Sequence, residues 1–136
     1  MPVTANSIIT PQAVKSASAI CTAAKTTYND STNAVKLLTA GASGSVLYGL
    51  RAVPRATVTA TQLQLYRSPD NGATMFLVNS ALMAAYTMAS TTAAPVTDLG
   101  YSETAPLRLA STDTLWVAAA VALAGGISFD AQYEDL

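Results

Sequence analysis

The pattern that decides the fold lies near the end of the chain, which reads LWVAAAVALA at 115–124, GG at 125–126 and ISFDAQYE at 127–134. Side chains alternate with period two in the first and third of these segments, as in β-strands. A Gly-Gly pair accepts the positive φ of a tight turn, so the sequence predicts a hairpin. The first strand is apolar or small on both faces. This favours a central strand covered by the core on one side and by a neighbouring subunit on the other.

Weaker alternation upstream predicts further strands, at 17–23, 35–40, 46–53, 57–67, 75–79 and 107–110. We expect the turn at 41–45 to join 35–40 and 46–53 as a second hairpin, with Val46, Tyr48 and Leu50 on one face.

Between these strands the sequence carries turn and loop signals. The residues SPDNG at 68–72 are strong turn formers, and 111–114 predicts another turn. The stretch 90–104 is rich in Thr, Ala, Ser and Pro, which is typical of a long surface loop. Periodicity leaves 80–89 open between strand and helix.

Together these signals predict an all-β fold, a jelly-roll-like β-sandwich of about eight strands. The chain of 136 residues is expected to form one such domain at 13–136. Residues 1–12 contain Pro2 and Pro11 and no steady alternation, and they are interpreted as an extended N-terminal arm. Such an arm could clasp a neighbour or fray.

The composition describes a folded chain with a weakly charged surface. Hydrophobic residues make up 51% and charged residues 11%, with a formal net charge of -1. These values exclude an intrinsically disordered protein. So few charges favour an oligomer or a subunit resting on a larger assembly. Basic residues concentrate before residue 68 and acidic ones after it, and we expect interleaved strands to mix the two halves in space.

Few residues could carry out chemistry. The chain contains no His and one Cys, Cys21, which excludes Ser/His/Asp and Cys/His arrangements within one chain and predicts a buried thiol. The acids Asp130, Glu134 and Asp135 are interpreted as a solvated face rather than a glycosidase or calcium site. No catalytic, cofactor-binding or metal residues are therefore predicted, and no cofactor is expected.

Other binding classes have equally little support. The segment GASGS at 41–45 lacks the Lys and the helix of a phosphate loop. A pI of about 5.0 with scattered basic residues argues against nucleic acid. The uncharged run 71–97 is interrupted by polar residues and Pro95, so no membrane helix is expected. A glycan platform is the less favoured explanation, after packing, of four aromatic residues, which are Tyr48, Tyr66, Trp116 and Tyr133.

The chain resembles a family of small jelly-roll structural proteins of tailed bacteriophages, which includes capsid decoration and tail-associated proteins. The resemblance runs through GSVLY at 44–48, LQLYRSPDNG at 63–72, PLRL at 106–109, TLWV at 114–117 and GGI at 125–127. It implies an oligomeric β-sandwich on the virion surface, often a trimer, attached to the major capsid protein, and it supplies no catalytic residues.

The hypothesis from sequence is therefore a capsid decoration (cement) protein, made in the host cytoplasm because 1–11 predicts no signal peptide. The arm and one sheet edge would touch the capsid, while loop 90–104 would face solvent. The alternative is a tail-fibre or tail-associated receptor-binding module, and an enzyme comes last.

Overall fold

The computed structural model describes residues 13–136, which form two antiparallel sheets. The strands are β1 (Ala13–Cys21), β2 (Val35–Thr39), β3 (Ser45–Pro54), β4 (Thr61–Ser68), β5 (Phe76–Met83), β6 (Thr97–Asp98), β7 (Leu107–Leu109), β8 (Thr114–Ala119) and β9 (Ile127–Asp135). No helix long and apolar enough to cross a bilayer occurs in this range. The predicted arm at 1–12 lies outside the described residues.

The strand order is that of a jelly roll. The first sheet, here called the β1 sheet, has the order β1-β9-β3, and β6 and β7 both pair with the free side of β3. The second, the β5 sheet, has the order β2-β8-β4-β5. With β6 and β7 counted as pieces of one interrupted strand there are eight strands, and only β4 and β5 follow each other within one sheet. The predicted all-β sandwich is confirmed.

Both predicted hairpins are wrong, and the strand predicted at 115–124 ends at Ala119, although the other strands of these hairpins exist. β8 belongs to the β5 sheet and β9 to the β1 sheet, so residues 120–126 cross between the sheets instead of turning within one. Likewise, β2 pairs with β8, whereas β3 pairs with β9. Period-two alternation identifies a strand and its buried face, but the partner strand is decided by which sheet that face must cover.

A bulge in β3 also overturns the predicted facing of its side chains. The pairing of β3 with β9 shifts between Leu47 and Gly49, which moves every later side chain to the other face. Leu47, Leu50 and Ala52 are fully buried as a result, whereas Val46 and Tyr48 are only partly buried.

The remaining predicted elements are mostly confirmed. The turn at 68–72 links β4 to β5 with positive φ at Asn71 (57°) and Gly72 (99°). The stretch 80–89, which the sequence left undecided between strand and helix, is extended, since β5 continues to Met83 and Tyr86 forms a bridge with Val58. The predicted loop at 90–104 contains the two-residue β6 and one buried side chain, Leu99. The strand predicted at 17–23 is β1, which begins four positions earlier.

The main core lies between the two sheets. Its fully buried side chains come from both inner faces and include Leu47, Leu50, Leu63, Leu65, Leu115, Val117, Ile127 and Phe129. Every buried side-chain nitrogen or oxygen in the described part of the chain has a hydrogen-bond partner. The sandwich therefore has an apolar core between its sheets and leaves no buried polar side-chain atom unpaired in this range.

Substitutions at two glycines allow the cost of backbone strain to be measured apart from the cost of a steric clash. Gly44 (φ 87°) and Gly100 (φ 93°) both adopt left-handed geometry, but a Cβ on Gly44 would lie 2.6 Å from the carbonyl oxygen of Leu109, whereas one on Gly100 would meet nothing within 4 Å. We expect Gly100→Ala to lower the free energy of unfolding by about 1 kcal/mol from strain alone. Gly44→Ala should cost about 2 to 4 kcal/mol because the clash adds to the strain. Urea unfolding of both variants measures this; equal losses would contradict it.

Candidate interaction surface

The single thiol is unsuited to chemistry. Cys21 lies in the main core, 1% exposed, and its thiol donates a hydrogen bond to the carbonyl oxygen of Val117 at 3.4 Å. Burial raises the pKa of the Cys21 thiol to about 12, so the reactive thiolate is scarce at neutral pH. The prediction of a buried thiol is confirmed.

The C-terminal acids predicted to form a solvated face divide between two environments. Asp130 is exposed and accepts a hydrogen bond from the Ser18 hydroxyl. Asp135 accepts one from the Ser45 hydroxyl at 2.6 Å and pairs with the Lys15 ammonium at 2.7 Å, and these contacts, the Lys15 contact first, lower the pKa of its carboxyl. Asp135 therefore fastens β9 to β1 and β3. Within residues 13–136, no group of three or more His, Cys, Asp or Glu side chains could hold a metal ion.

The turn at 41–45 is part of the same hydrogen-bond network around Asp135. The backbone N–H of Gly41 donates to the Ser45 hydroxyl, and a Cβ on Gly41 would lie 2.9 Å from the Asp135 carboxyl carbon. The turn therefore packs against the Asp135 carboxylate, whose negative charge opposes the binding of a phosphate there.

The four aromatic residues considered as a glycan platform do not form one. Tyr133 packs in the main core, while Tyr66 is fully buried in a separate cluster that Trp116 lines. Tyr48 and Trp116 are partly buried, on strands of different sheets. Aromatic faces that are split between two cores and two sheets offer a sugar no common stacking surface.

The outer face of β8 is covered by the chain itself. Ala118 is fully buried there with Tyr66 and Met75. The segment 22–34 runs beside it, with the backbone N–H of Lys25 donating to the carbonyl oxygen of Ala119 at 2.9 Å. The expectation that a neighbouring subunit covers this face is therefore wrong at Ala118.

A buried lysine holds the covering segment in place. The Lys25 side chain is fully buried, with its ammonium 2.8 Å from Asp30 Oδ1, 3.0 Å from the carbonyl oxygen of Thr32 and 5.2 Å from the centre of the Tyr66 ring. The Tyr66 hydroxyl donates to Gln64 Oε1, and the Gln64 amide donates to the carbonyl oxygen of Lys25. Each buried polar group is thus paired, as burial requires. Sequence reasoning missed this network because nothing marks Lys25 as buried.

The largest unpartnered apolar feature lies along β5, the outer strand of its sheet. Four exposed side chains of this strand, here called the β5 strip, are Phe76, Leu77, Val78 and Leu82. They lie within 71–97, where no residue is charged. Leu82 is opposite Gln62 and Leu77 is opposite Tyr66 in the β4 pairing, so both project from the outer face of the sheet. Exposed apolar side chains on an edge strand make this strip a candidate surface for contact with protein.

The opposite edge of the sandwich carries a smaller apolar surface. β1 is the outer strand of its sheet, and its Val14 and Ile20 are 77% and 45% exposed. Lys15 lies between them and pairs with Asp135. The two halves of the chain do mix in space, as expected, since Lys15 pairs with Asp135 and Arg67 with Asp113.

A comparison of the chain with protein-family models, with curated proteins and with solved structures finds no match.

The Lys25 network should contribute measurably to stability. Lys25→Met keeps most of the apolar stem but removes the hydrogen bonds to Asp30 and Thr32. We expect a loss of about 2 kcal/mol in the free energy of unfolding, the usual size for hydrogen bonds made by a charged group. The matched control is Lys36→Met, an exposed lysine that bonds Asn71. Its loss should stay within the roughly 0.5 kcal/mol that is typical of surface substitutions. Denaturant unfolding compares the two variants. An equal decrease in the free energy of unfolding would show that the bonds of the buried ammonium do not stabilise the fold.

The same network should make stability sensitive to acid. The hydrogen bond from Lys25, followed by that from Thr27, lowers the pKa of the Asp30 carboxyl from 3.8 to about 2. A lowered pKa in the folded state adds stability that is complete above the unfolded value and is lost as the pH falls toward 2. Unfolding free energies between pH 6 and 2 should therefore fall less steeply for Asp30→Asn and Lys25→Met than for the unmodified chain. Parallel pH profiles would contradict this assignment.

Proposed function

We propose that the chain is a structural protein of a bacteriophage particle and, within that class, a capsid decoration (cement) protein. The observation that carries the proposal is the placement of exposed apolar side chains on both edges of a rigid sandwich, at Val14 and Ile20 on β1 and along the β5 strip. The alternative, a tail-fibre or tail-associated receptor-binding module, shares the fold, so the location on the particle distinguishes the two.

The physical task of a cement protein matches what the surface offers. Stabilising a shell requires buried contact area repeated over many copies and needs no reactive group. In residues 13–136, Asp135 is tied into hydrogen bonds, Asp130 is exposed on a strand, and the Cys21 thiol is buried. A chain of this kind acts by contact, and its proposed partners are the major capsid protein and further copies of itself.

The fold suggests how such a protein would sit on a capsid. β1 follows residues 1–12 in the sequence, forms an outer edge of its sheet and carries the exposed Val14 and Ile20. We assign residues 1–12 and this β1 edge to the capsid contact. β6 lies on the far side of β3, so the loop 90–104 belongs to the opposite edge of the β1 sheet and would face solvent.

The test uses particles of the phage that encodes the chain, assembled without it. We expect the purified full-length chain to bind their shell and to raise the temperature at which the shell releases its genome, and immunogold labelling should decorate the capsid. Labelling of the tail would favour the alternative function. Absence of binding to any part of the particle would contradict both functions.

A pair of variants tests the orientation. Val14→Lys should weaken binding to the shell at least about tenfold, because a buried unpaired charge in a contact costs more than about 1.4 kcal/mol. Val96→Lys is the matched control, since Val96 is also exposed but lies in loop 90–104, and its binding should be unchanged. Co-sedimentation with the particles measures both. The reverse result would place the capsid contact at the opposite edge.

A further inference from the structure

We propose that two copies of this chain associate through the β5 strip, each presenting the same surface to the other about a two-fold axis. This inference deepens the proposed function, which names further copies of the chain as partners, but it concerns the chain in solution and is tested there. It assigns an occupant to the open edge of β5. Among the described strands β5 pairs with β4 alone, and no strand is hydrogen-bonded along its other side, where Asn79 donates one side-chain bond to the carbonyl oxygen of Leu99.

The first support is the concentration of exposed apolar surface in one strand. Nine large hydrophobic side chains are exposed in residues 13–136, and four of them belong to the eight residues of β5. Leu82 is the most open at 71%, and Phe76, Leu77 and Val78 range from 38% to 47%. Single exposed hydrophobics are ordinary on protein surfaces, but a group on an edge strand marks a site of association.

The second support is the distribution of charge, which selects a second copy as the occupant. In a two-fold contact a surface meets itself, so a charge on it is brought close to a like charge on the partner. β5 carries no charge, and neither does any residue from 71 to 97. The other outer strands all carry one, at Lys15 in β1, Lys36 in β2, Asp98 in β6 and Arg108 in β7. β5 is the outer strand in this part of the chain that carries no charge of its own. The cation beside the strip is Arg67 of β4, 5.8 Å from the centre of the Phe76 ring, and it pairs with Asp113 at 3.6 Å.

The third support comes from the shape of the edge, which favours a closed pair over open-ended strand addition. Val78 is the extra residue of a bulge, because Asn79 pairs with Leu65 while Leu77 pairs with Tyr66. The Asn79 side chain accepts a hydrogen bond from the Ser80 N–H and donates one to the carbonyl oxygen of Leu99. Both features interrupt the row of backbone groups that an added strand would need. Contact must therefore come mainly from side chains.

The side chains available for that contact extend beyond β5. Leu77 and Leu82 project from the outer face of the sheet, and Gln62, the cross-strand partner of Leu82, accepts a hydrogen bond from the Tyr28 hydroxyl at 2.9 Å. Tyr28 is itself 49% exposed. An apolar centre with a tyrosine at its margin has the composition common at protein–protein contacts.

Sedimentation equilibrium of the full-length chain tests the proposal. We expect a dimer whose dissociation constant rises at least about tenfold in Leu82→Lys and is unchanged in the matched control Val14→Lys, which places the same charge on the other edge at similar exposure. Circular dichroism should show both variants folded, because neither side chain is buried. A monomer, the trimer that the resemblance implies, or a dimer sensitive to Val14→Lys alone would overturn the proposal.

Hydrogen exchange of the unmodified chain provides a test without substitutions. Amides of β5 should exchange more slowly at concentrations above the dissociation constant than below it, whereas amides of β1 should exchange equally at both. Slowing at β5 that occurs only when phage particles are added would assign the strip to the capsid protein and overturn the self-association. Binding of the isolated chain to the shell is measured separately, so each proposal can fail alone.

Discussion

The structure depends on one constraint, which is that β8 has to be buried on both faces. Leu115, Val117 and Ala119 face the core between the sheets, while Ala118 belongs to the outer cluster with Tyr66. A sandwich covers only the inner face of a central strand. The second cover is the segment 22–34, which is bonded to the sheet through the backbone of Lys25 and Thr27. The buried Lys25 ammonium lies over the Tyr66 ring and bonds Asp30 and Thr32, which holds the segment in its folded shape. Burial of β8 on both faces therefore needs the second sheet on the inner side and the segment 22–34, with its buried Lys25, on the outer side.

Six of the fifteen charged side chains form ion pairs that connect parts of this scaffold. Lys25 pairs with Asp30 over the outer face, Lys15 with Asp135 at the end of the β1 sheet, and Arg67 with Asp113 beside a turn. The other charged side chains lie at the surface and carry both signs, so the net charge of the chain is only -1. A neutral surface with exposed apolar edges favours association with protein over binding of ions or nucleic acid, which is the physical basis of both proposals.

Sequence reasoning found the elements but missed their partners. Alternation located strands close to β2, β3, β8 and β9, because burial of one face imposes period two wherever a strand lies. Adjacent strands were then assumed to pair, and a jelly roll violates that assumption at almost every connection. The bulge at Tyr48 was also missed, although Gly49 within the predicted strand was a sequence signal for one. The uncharged run 71–97 could be recognised in the sequence, but only the structure showed that its strand β5 lies at the edge of a sheet with its apolar side chains exposed.

The sequence by itself determined that this chain forms an all-β sandwich, that Cys21 is buried and that no histidine chemistry is available, because these follow from local periodicity and from which residue types are present. The tertiary structure alone decided which strands pair, that Lys25 lies buried over Tyr66 and that β5 is left with an open side. Those outcomes depend on contacts between residues far apart in the chain, and local patterns contain no information about which distant face a strand will meet.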